Sequence, residues 1–403
     1  MIIDDKPTNL NTQYRYITYG KQYIDDEDIN AVVEVLKSDF LTQGPKVKQF
    51  EDGLAEYCGS KYAVVFNSGT SALHGAYFVA GLSKDDEFIT SAMTFVATSN
   101  AGIYLGAKPV FVDVESDTGN IDVDLIEDKI SEKTKLIVPI HYAGHSCDME
   151  KIRNIADRYQ LKVVEDACHA LGARYTTNGL TFKVGSCQFS DMTVFSFHPV
   201  KHITTGEGGA VLTNDYDLYE KLLLFRNHGI TKEKRKFNKY HYMFDGDWYY
   251  EMQFLGYNYR MTEIQAALGI SQLNKLDRFV LKRREIVDIY NSHFKGNVYF
   301  DIPLEKGYAF HSYHLYPIRL KDRYKDLKKE IFELLRKNGI GVQVHYIPVY
   351  HHPFYESMGY EMGICKDAED FYQREISLPI YPAMTEEDIS YVIDKTYGVF
   401  KSL

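Results

Sequence analysis

Between residues 61 and 214 the chain alternates short apolar runs with stretches of helical period. Tyr62-Ala63-Val64-Val65-Phe66 is a compact run of strand formers, followed by Asn67-Ser68-Gly69-Thr70 and a helical pattern over residues 71–80. The strand signal returns at 87–90, 109–114, 136–140, 163–166, 193–197 and 210–213, with helical periods at 123–130 and 149–159 between them. Strands that are continuously apolar, rather than apolar at every second residue, predict an α/β fold with a large, mostly parallel sheet covered on both faces. Ligands of such sheets lie beyond the carboxyl ends of the strands, so the residues just after each run are the candidates for chemistry.

Residues 261–294 read as one long helical stretch interrupted at Gly269, with apolar positions at Ile264, Ala267, Leu268, Leu273 and Leu276. Beyond it, strand signals at 315–320 and 341–346 are flanked by helical patterns at 324–337, 368–374 and 386–400. This predicts a smaller C-terminal α+β domain of roughly a hundred residues, an ordinary domain size. The expected organisation is an N-terminal arm and substrate-site segment over 1–30, a large α/β domain over 31–280 and the small domain over 281–403.

Composition narrows the function. The 403 residues include 46 Lys and Arg against 56 Asp and Glu, a formal net charge of -10. A nucleic-acid backbone binder needs a broad basic face, so nucleic acid is not expected as a partner. No apolar run reaches the roughly eighteen residues of a membrane span. The first thirteen residues lack the apolar core of a signal peptide, so a cytoplasmic protein is expected. Cys58, Cys147, Cys168, Cys187 and Cys365 are scattered and never at C-x-x-C spacing, which supports neither a disulfide framework nor a zinc site. No metal is expected. The 33 Tyr and 23 Phe are read mostly as core and subunit interface.

Four places after strands or at helix starts could carry chemistry. Asn67-Ser68-Gly69-Thr70-Ser71 runs from a strand through a glycine into a helix. That is either a plain N-cap or a cradle in which helix N–H groups and hydroxyls hold a phosphate. Asp166, in Glu165-Asp166-Ala167-Cys168-His169, is either another cap or an acid pairing with a cation. Lys201, in Ser196-Phe197-His198-Pro199-Val200-Lys201 before Gly206-Glu207-Gly208-Gly209, is either an exposed loop lysine or a desolvated amine able to form a Schiff base. Gly256-Tyr257-Asn258-Tyr259-Arg260-Met261 opens the long helix, as packing or as a ligand contact. Taken together they suit a phosphorylated aromatic aldehyde: a cradle for the phosphate, an acid for the ring nitrogen, a lysine for the aldehyde. That is pyridoxal phosphate chemistry.

The runs Asn67-Ser68-Gly69-Thr70-Ser71-Ala72-Leu73, Thr94-Phe95-Val96-Ala97-Thr98, Glu165 to Gly172 and Ser196 to Lys201 with Gly206-Glu207-Gly208-Gly209 resemble the DegT/DnrJ/EryC1/StrS sugar aminotransferases. These are fold-type I pyridoxal phosphate enzymes. The resemblance implies that Lys201 forms the Schiff base, Asp166 pairs with the pyridine nitrogen, and His169 and Phe95 lie against the ring. It gives the phosphate to Gly69, Thr70, Ser196 and, from the neighbouring subunit of a homodimer with shared active sites, Asn258. Tyr19, Asp39, Phe40, Leu41, Thr42, Gly69, Arg260, Gln343, Val344, His345 and Tyr346 match segments that line the nucleotide-sugar site. Arg226-Asn227-His228-Gly229-Ile230 and Gln343-Val344-His345-Tyr346 look most like one subgroup. Its members move an amino group from L-glutamate to carbon 4 of a UDP-linked 4-keto-6-deoxy-N-acetyl-hexosamine, in pseudaminic acid biosynthesis. The Tyr-rich segment 237–250, with the single Trp248, is longer than that subgroup leads one to expect. The alternatives are an aminotransferase for another keto nucleotide sugar, a related dehydratase (which carries histidine where Lys201 stands), or a non-catalytic regulator.

His141 and His145 are spaced i,i+4, but Gly144 and the preceding strand place them in a loop, where hydrogen bonding is the better reading than metal. An acidic chain is compatible with anionic ligands when N–H groups and hydroxyls hold the cofactor phosphate. The nucleotide's phosphates call for local cations, with Arg260 and Lys21 as candidates.

Overall fold

The computed structural model describes residues 15–239 and 246–403. Residues 1–14 of the expected arm and 240–245 of the Tyr-rich segment lie outside the described residues. The centre is a seven-stranded sheet in the order Tyr62–Phe66, Gly209–Thr213, Met192–Ser196, Lys162–Asp166, Thr134–Val138, Glu87–Ser91, Lys108–Val112. Only Gly209–Thr213 runs against its two neighbours; the other pairings are parallel. The continuous apolar runs have the cause expected for them. Val64, Val65, Phe66, Val194, Phe195, Ala210, Val211 and Leu212 are all fully buried, because helices cover both faces.

On one face Pro45–Cys58, Met149–Tyr159 and the start of Leu276–Phe294 pack through Phe50, Leu54, Ile152, Ala156, Leu276 and Phe279. On the other, Gly69–Val79 and Tyr216–Phe225 pack through Leu73, Ala76, Tyr77, Leu222 and Phe225. Burying each of these Leu, Ile and Phe side chains is worth about 1.5–3 kcal/mol. A separate apolar cluster holds the C-terminal part together. There the antiparallel strands Phe300–Asp301, Tyr316–Leu320 and Glu375–Leu378 carry the helices Leu276–Phe294, Lys328–Lys337 and Glu386–Ser402.

Three expectations change. The stretch 261–294 is two helices, Glu263–Leu273 and Leu276–Phe294, and the break is not at Gly269. A Cβ on Gly269 would lie 2.6 Å from the Phe50 ring, so that glycine serves close helix packing. The break falls at Asn274 and Lys275, where the buried Lys275 ammonium is drawn to Asp25 and Asp28. The pattern at 123–130 resolves into two single turns, Val123–Leu125 and Glu127–Lys129. Of the strand expected at 341–346, Gly341 pairs in the short ladder of Ile340–Gly341 with Ile17–Thr18, and Gln343 makes an isolated antiparallel bridge to Ser377. The following residues leave the ladder because Gln343 and His345 bond instead to Ser377 and Glu375.

Candidate active site

Beyond the carboxyl ends of Tyr62–Phe66, Lys162–Asp166 and Met192–Ser196 lies a cavity of about 450 Å³. Of the residues singled out from the sequence, it is lined by Tyr19, Gly69, Thr70, Phe95, Asp166, His169, Ser196, Lys201, Gln343, Val344, His345 and Tyr346.

One wall is the start of Gly69–Val79. Ser68 caps it, its hydroxyl accepting from the Ser71 N–H while the Ser71 hydroxyl accepts from the Ser68 N–H. The N–H groups of Gly69 and Thr70 then have no partner within the helix, as in any first turn. They stand with the Ser196 hydroxyl at the same wall. Gly69 lets the helix start approach Ser196 closely, since a Cβ there would meet Ser196 Cβ at 3.0 Å.

Asp166 closes its strand 4% exposed. Its Oδ2 accepts from the Thr98 hydroxyl at 2.6 Å and its Oδ1 from the Cys168 N–H at 3.1 Å. Thr98 in turn shares a 2.8 Å hydrogen bond with Thr94. The carboxylate is therefore oriented by a short hydroxyl chain and has no cationic partner within salt-bridge distance among the described residues.

Lys201 projects into the cavity, and burial lowers its ammonium below the usual 10.5 against the opposing charge of the Asp166 carboxylate. Its Nζ lies 3.5 Å from His314 Nε2. His314 packs on His169 at 4.4 Å between ring centroids, and His169 Nε2 reaches the Tyr346 hydroxyl at 2.9 Å. Burial, helped by the Lys201 charge, holds His169 and His314 well below the ordinary histidine value. His314 Nδ1 and His169 Nδ1 are buried without a partner. The backbone carbonyl of His314 is held by the fully buried Arg283, whose Nη1 also donates to Tyr313 and Ile380.

Asp39, Phe40, Leu41 and Thr42 are exposed and do not line this cavity, nor do Asn258 and Arg260. Asn258 is exposed, its carbonyl accepting from the Asn67 amide, and Arg260 donates to Asn227. Lys21 is also exposed. His141 bonds Glu165 at 2.7 Å and His145 accepts from the Lys306 N–H at 2.9 Å, so both belong to buried hydrogen-bond networks. Among the described residues no group of three His, Cys, Asp or Glu is placed to hold a metal ion. No helix among them is long and apolar enough to cross a membrane.

Two cavity residues were not foreseen in a role. Thr98 stands inside the run Thr94 to Thr98, where a hydroxyl four residues from another was the available signal. His314 carried none, because its strand neighbours belong to the C-terminal sheet.

The sequence model of the DegT/DnrJ/EryC1/StrS aminotransferase family matches residues 22–396. The UDP-4-amino-4,6-dideoxy-N-acetyl-beta-L-altrosamine transaminase of Campylobacter jejuni strain 81-176 is 42% identical over 390 residues, 96% of this chain and 98% of its own. Helicobacter pylori PseC, an aminotransferase involved in the biosynthesis of pseudoaminic acid, superposes with a TM-score of 0.88 at 39% identity, covering 96% of this chain and all of that one. Spr1654 of Streptococcus pneumoniae, solved in its PLP form, superposes with a TM-score of 0.87 at 30% identity, covering 96% and 99%. The cavity suits that cofactor by its donor set. It offers uncommitted first-turn N–H groups for a phosphate, an oriented carboxylate without a cation, and a half-buried amine of lowered basicity. A chain that matches the family over nearly its whole length and carries this donor set belongs to the DegT/DnrJ/EryC1/StrS aminotransferase family and uses pyridoxal 5′-phosphate.

Proposed function

We propose that this aminotransferase moves the amino group of L-glutamate to carbon 4 of a UDP-linked 4-keto-6-deoxy-N-acetyl-hexosamine, as in pseudaminic acid biosynthesis. The observation that carries the substrate is the 42% identity, over nearly the full length of both chains, to a transaminase named for the corresponding 4-amino sugar.

Each residue has a physical task. Gly69 and Thr70, with the Ser196 hydroxyl, hold the cofactor phosphate by N–H and O–H donation, which needs no net positive charge. Asp166 holds the ring-nitrogen proton, and Thr98 keeps its oxygens aimed. His169 and Phe95 bound the ring. Bound pyridoxal phosphate supplies an aldehyde that takes up amines and a ring that withdraws electrons from the adjoining carbon. Lys201 is the amine that holds the aldehyde and afterwards the base that carries the proton at Nζ; its lowered basicity favours the neutral form this requires. Tyr19 and Gln343 to Tyr346 contact the sugar. A histidine in place of Lys201 would have favoured the dehydratase reading.

Asp39, Phe40, Leu41, Thr42, Asn258 and Arg260, all outside the single-chain cavity, are assigned to sites shared between two copies of the chain, which makes the working unit a homodimer. The test is product analysis with a set of UDP-linked keto sugars and L-glutamate. The altro-configured 4-amino product is expected, and amination of a different keto sugar in its place would refute the assignment.

A further inference from the structure

The cavity wall formed by Gln343 to Tyr346 is backed by a hydrogen-bonded chain that none of the roles above uses. Glu375 and Ser377, both fully buried, lie on the edge of the C-terminal sheet in Glu375–Leu378. Glu375 Oε2 accepts the backbone N–H of His345 at 2.7 Å, and its Oε1 pairs with the Ser377 hydroxyl at 2.5 Å. Ser377 Oγ pairs in turn with His345 Nδ1 at 2.9 Å. His345 is 6% exposed and lines the cavity, and no hydrogen bond from a described residue reaches its Nε2.

Proton counting along this chain fixes the polarity of its far end. A serine hydroxyl has one proton to donate. With Glu375 ionised, that proton goes to the carboxylate, so Ser377 Oγ is left as an acceptor toward His345. Nδ1 must then carry the ring proton, and Nε2 turns a lone pair to the cavity. With Glu375 protonated, the two side-chain bonds reverse while the His345 N–H still donates to Oε2: the acid donates to Ser377, Ser377 donates to Nδ1, and Nε2 becomes an N–H donor. His345 remains neutral in both cases, since burial holds it at about 3.

The groups around Glu375 bear on which state prevails. Lys328, from the helix Lys328–Lys337, opposes the effect of burial, which raises Glu375 toward about 7. Arg319, opposite it in the strand register, has its guanidinium on the Ser116 carbonyl. The Tyr142 and Tyr346 hydroxyls, whose ionisation the Glu375 charge disfavours, stay neutral. Two donors, the His345 N–H and the Ser377 O–H, converge on the carboxylate and favour its ionised form.

We propose that Ser377 and Glu375 are positioning residues that select the Nδ1–H tautomer of His345, and so present an acceptor at Nε2 to a hydroxyl of the sugar substrate. The contact rests on the proposed sugar site, but the tautomer does not. A substrate that lacks the matching donor leaves the lone pair without a partner, which gives the wall a preference for hydroxyl-bearing sugars.

The test is nitrogen NMR of the pyridoxal-phosphate-loaded enzyme with 15N-histidine, at a pH of about 8, above the value to which burial raises Glu375. His345 is assigned by the signal lost in His345→Gln. The wild type is expected to carry the ring proton on Nδ1. Glu375→Gln keeps the shape but places an amide donor against Ser377, and is expected to move the proton to Nε2. Ser377→Ala is expected to cut kcat/KM for the keto sugar by about tenfold, the loss of roughly one hydrogen bond. It should leave the rate at which L-glutamate converts the loaded cofactor within about twofold, and Ser377→Thr should recover the rate. Unchanged melting temperatures verify folding. A wild-type proton on Nε2, or a tautomer that ignores Glu375→Gln, overturns the proposal, as does equal loss of both half-reactions in Ser377→Ala. If the wild type aminates no UDP-linked 4-keto sugar, the substrate assignment fails while the tautomer measurement still decides the positioning claim.

Discussion

His314 Nε2 lies 3.5 Å from Lys201 Nζ, across 113 residues of sequence, so the cavity amine is touched by a side chain from the segment leading into Tyr316–Leu320, the middle strand of the C-terminal sheet. Because burial keeps His314 neutral, its Nε2 accepts a hydrogen bond from the lysine rather than repelling its charge. Replacing it by Phe keeps the ring contact with His169 but removes that acceptor. The expected result is an unchanged cofactor content and a fall in kcat of about tenfold, the scale of one hydrogen bond to a group that changes charge. Single-turnover kinetics with L-glutamate checks it.

Lys201→Ala should abolish turnover and the absorbance band of the lysine-bound cofactor, since the same amine holds the aldehyde and carries the proton. A loss of at least roughly 10³-fold is expected. A variant with near-normal transamination would sink the assignment of Lys201.

Thr98→Val removes a 2.6 Å hydrogen bond to Asp166 without changing the side chain's shape. A hydrogen bond to a charged group is worth roughly 1.5–3 kcal/mol, so pyridoxal phosphate should bind roughly tenfold to hundredfold more weakly. Thr98→Ser should restore it. Fluorescence titration of the apoenzyme is the measurement, and a variant with wild-type affinity would remove Thr98 from the site.

Gly69→Ala tests the phosphate wall by crowding. The added Cβ would sit 3.0 Å from Ser196 Cβ and 3.2 Å from its Oγ, forcing Ser196 to shift by a few tenths of an ångström. Gly69 is the first residue of its helix, so the change leaves the helix interior untouched. Cofactor affinity should therefore fall while the melting temperature holds. A fall in both would mean that the strain lies in the fold and not in the phosphate site.

Acid should destabilise the protein below a pH of about 6.5. Burial lowers His74 and His145 to about 4 and His345 to about 3. It also lowers His169, His202, His311 and His314 well below the usual value. Their unfolded counterparts take up protons near pH 6.5 while the folded side chains stay neutral. The unfolded state thus binds more protons, and stability present above that pH drains away as pH falls, by up to about 1.4 kcal/mol per pH unit for each such group. Glu375, raised toward about 7, works in the opposite sense but is a single group. Calorimetry from pH 7.5 down to 4.5 should show a steepening drop in melting temperature; a flat profile would contradict the buried neutral histidines.

Much of this protein was legible in its sequence. Continuous apolar runs such as Tyr62 to Phe66 announced buried strands, and the helix over Met149–Tyr159 was read at the bounds it has, because both signals are local and periodic. The ordered motifs around Gly69, Asp166, Ser196 and Lys201 pointed to the cofactor, since each sits where a strand ends and the backbone turns. What only the tertiary structure decided depends on residues far apart in the chain. Period alone placed a strand at 341–346, yet the side chains of Glu375 and Ser377 draw that segment out of the ladder and turn His345 to the cavity. Glycine alone suggested a break at Gly269, whereas the Phe50 ring needs that glycine inside the helix and Lys275 sets the break beside Asp25 and Asp28. His314, beside Lys201, lies in none of the motifs, and its neutrality comes from burial, which is a property of the packed chain, not of any window along it.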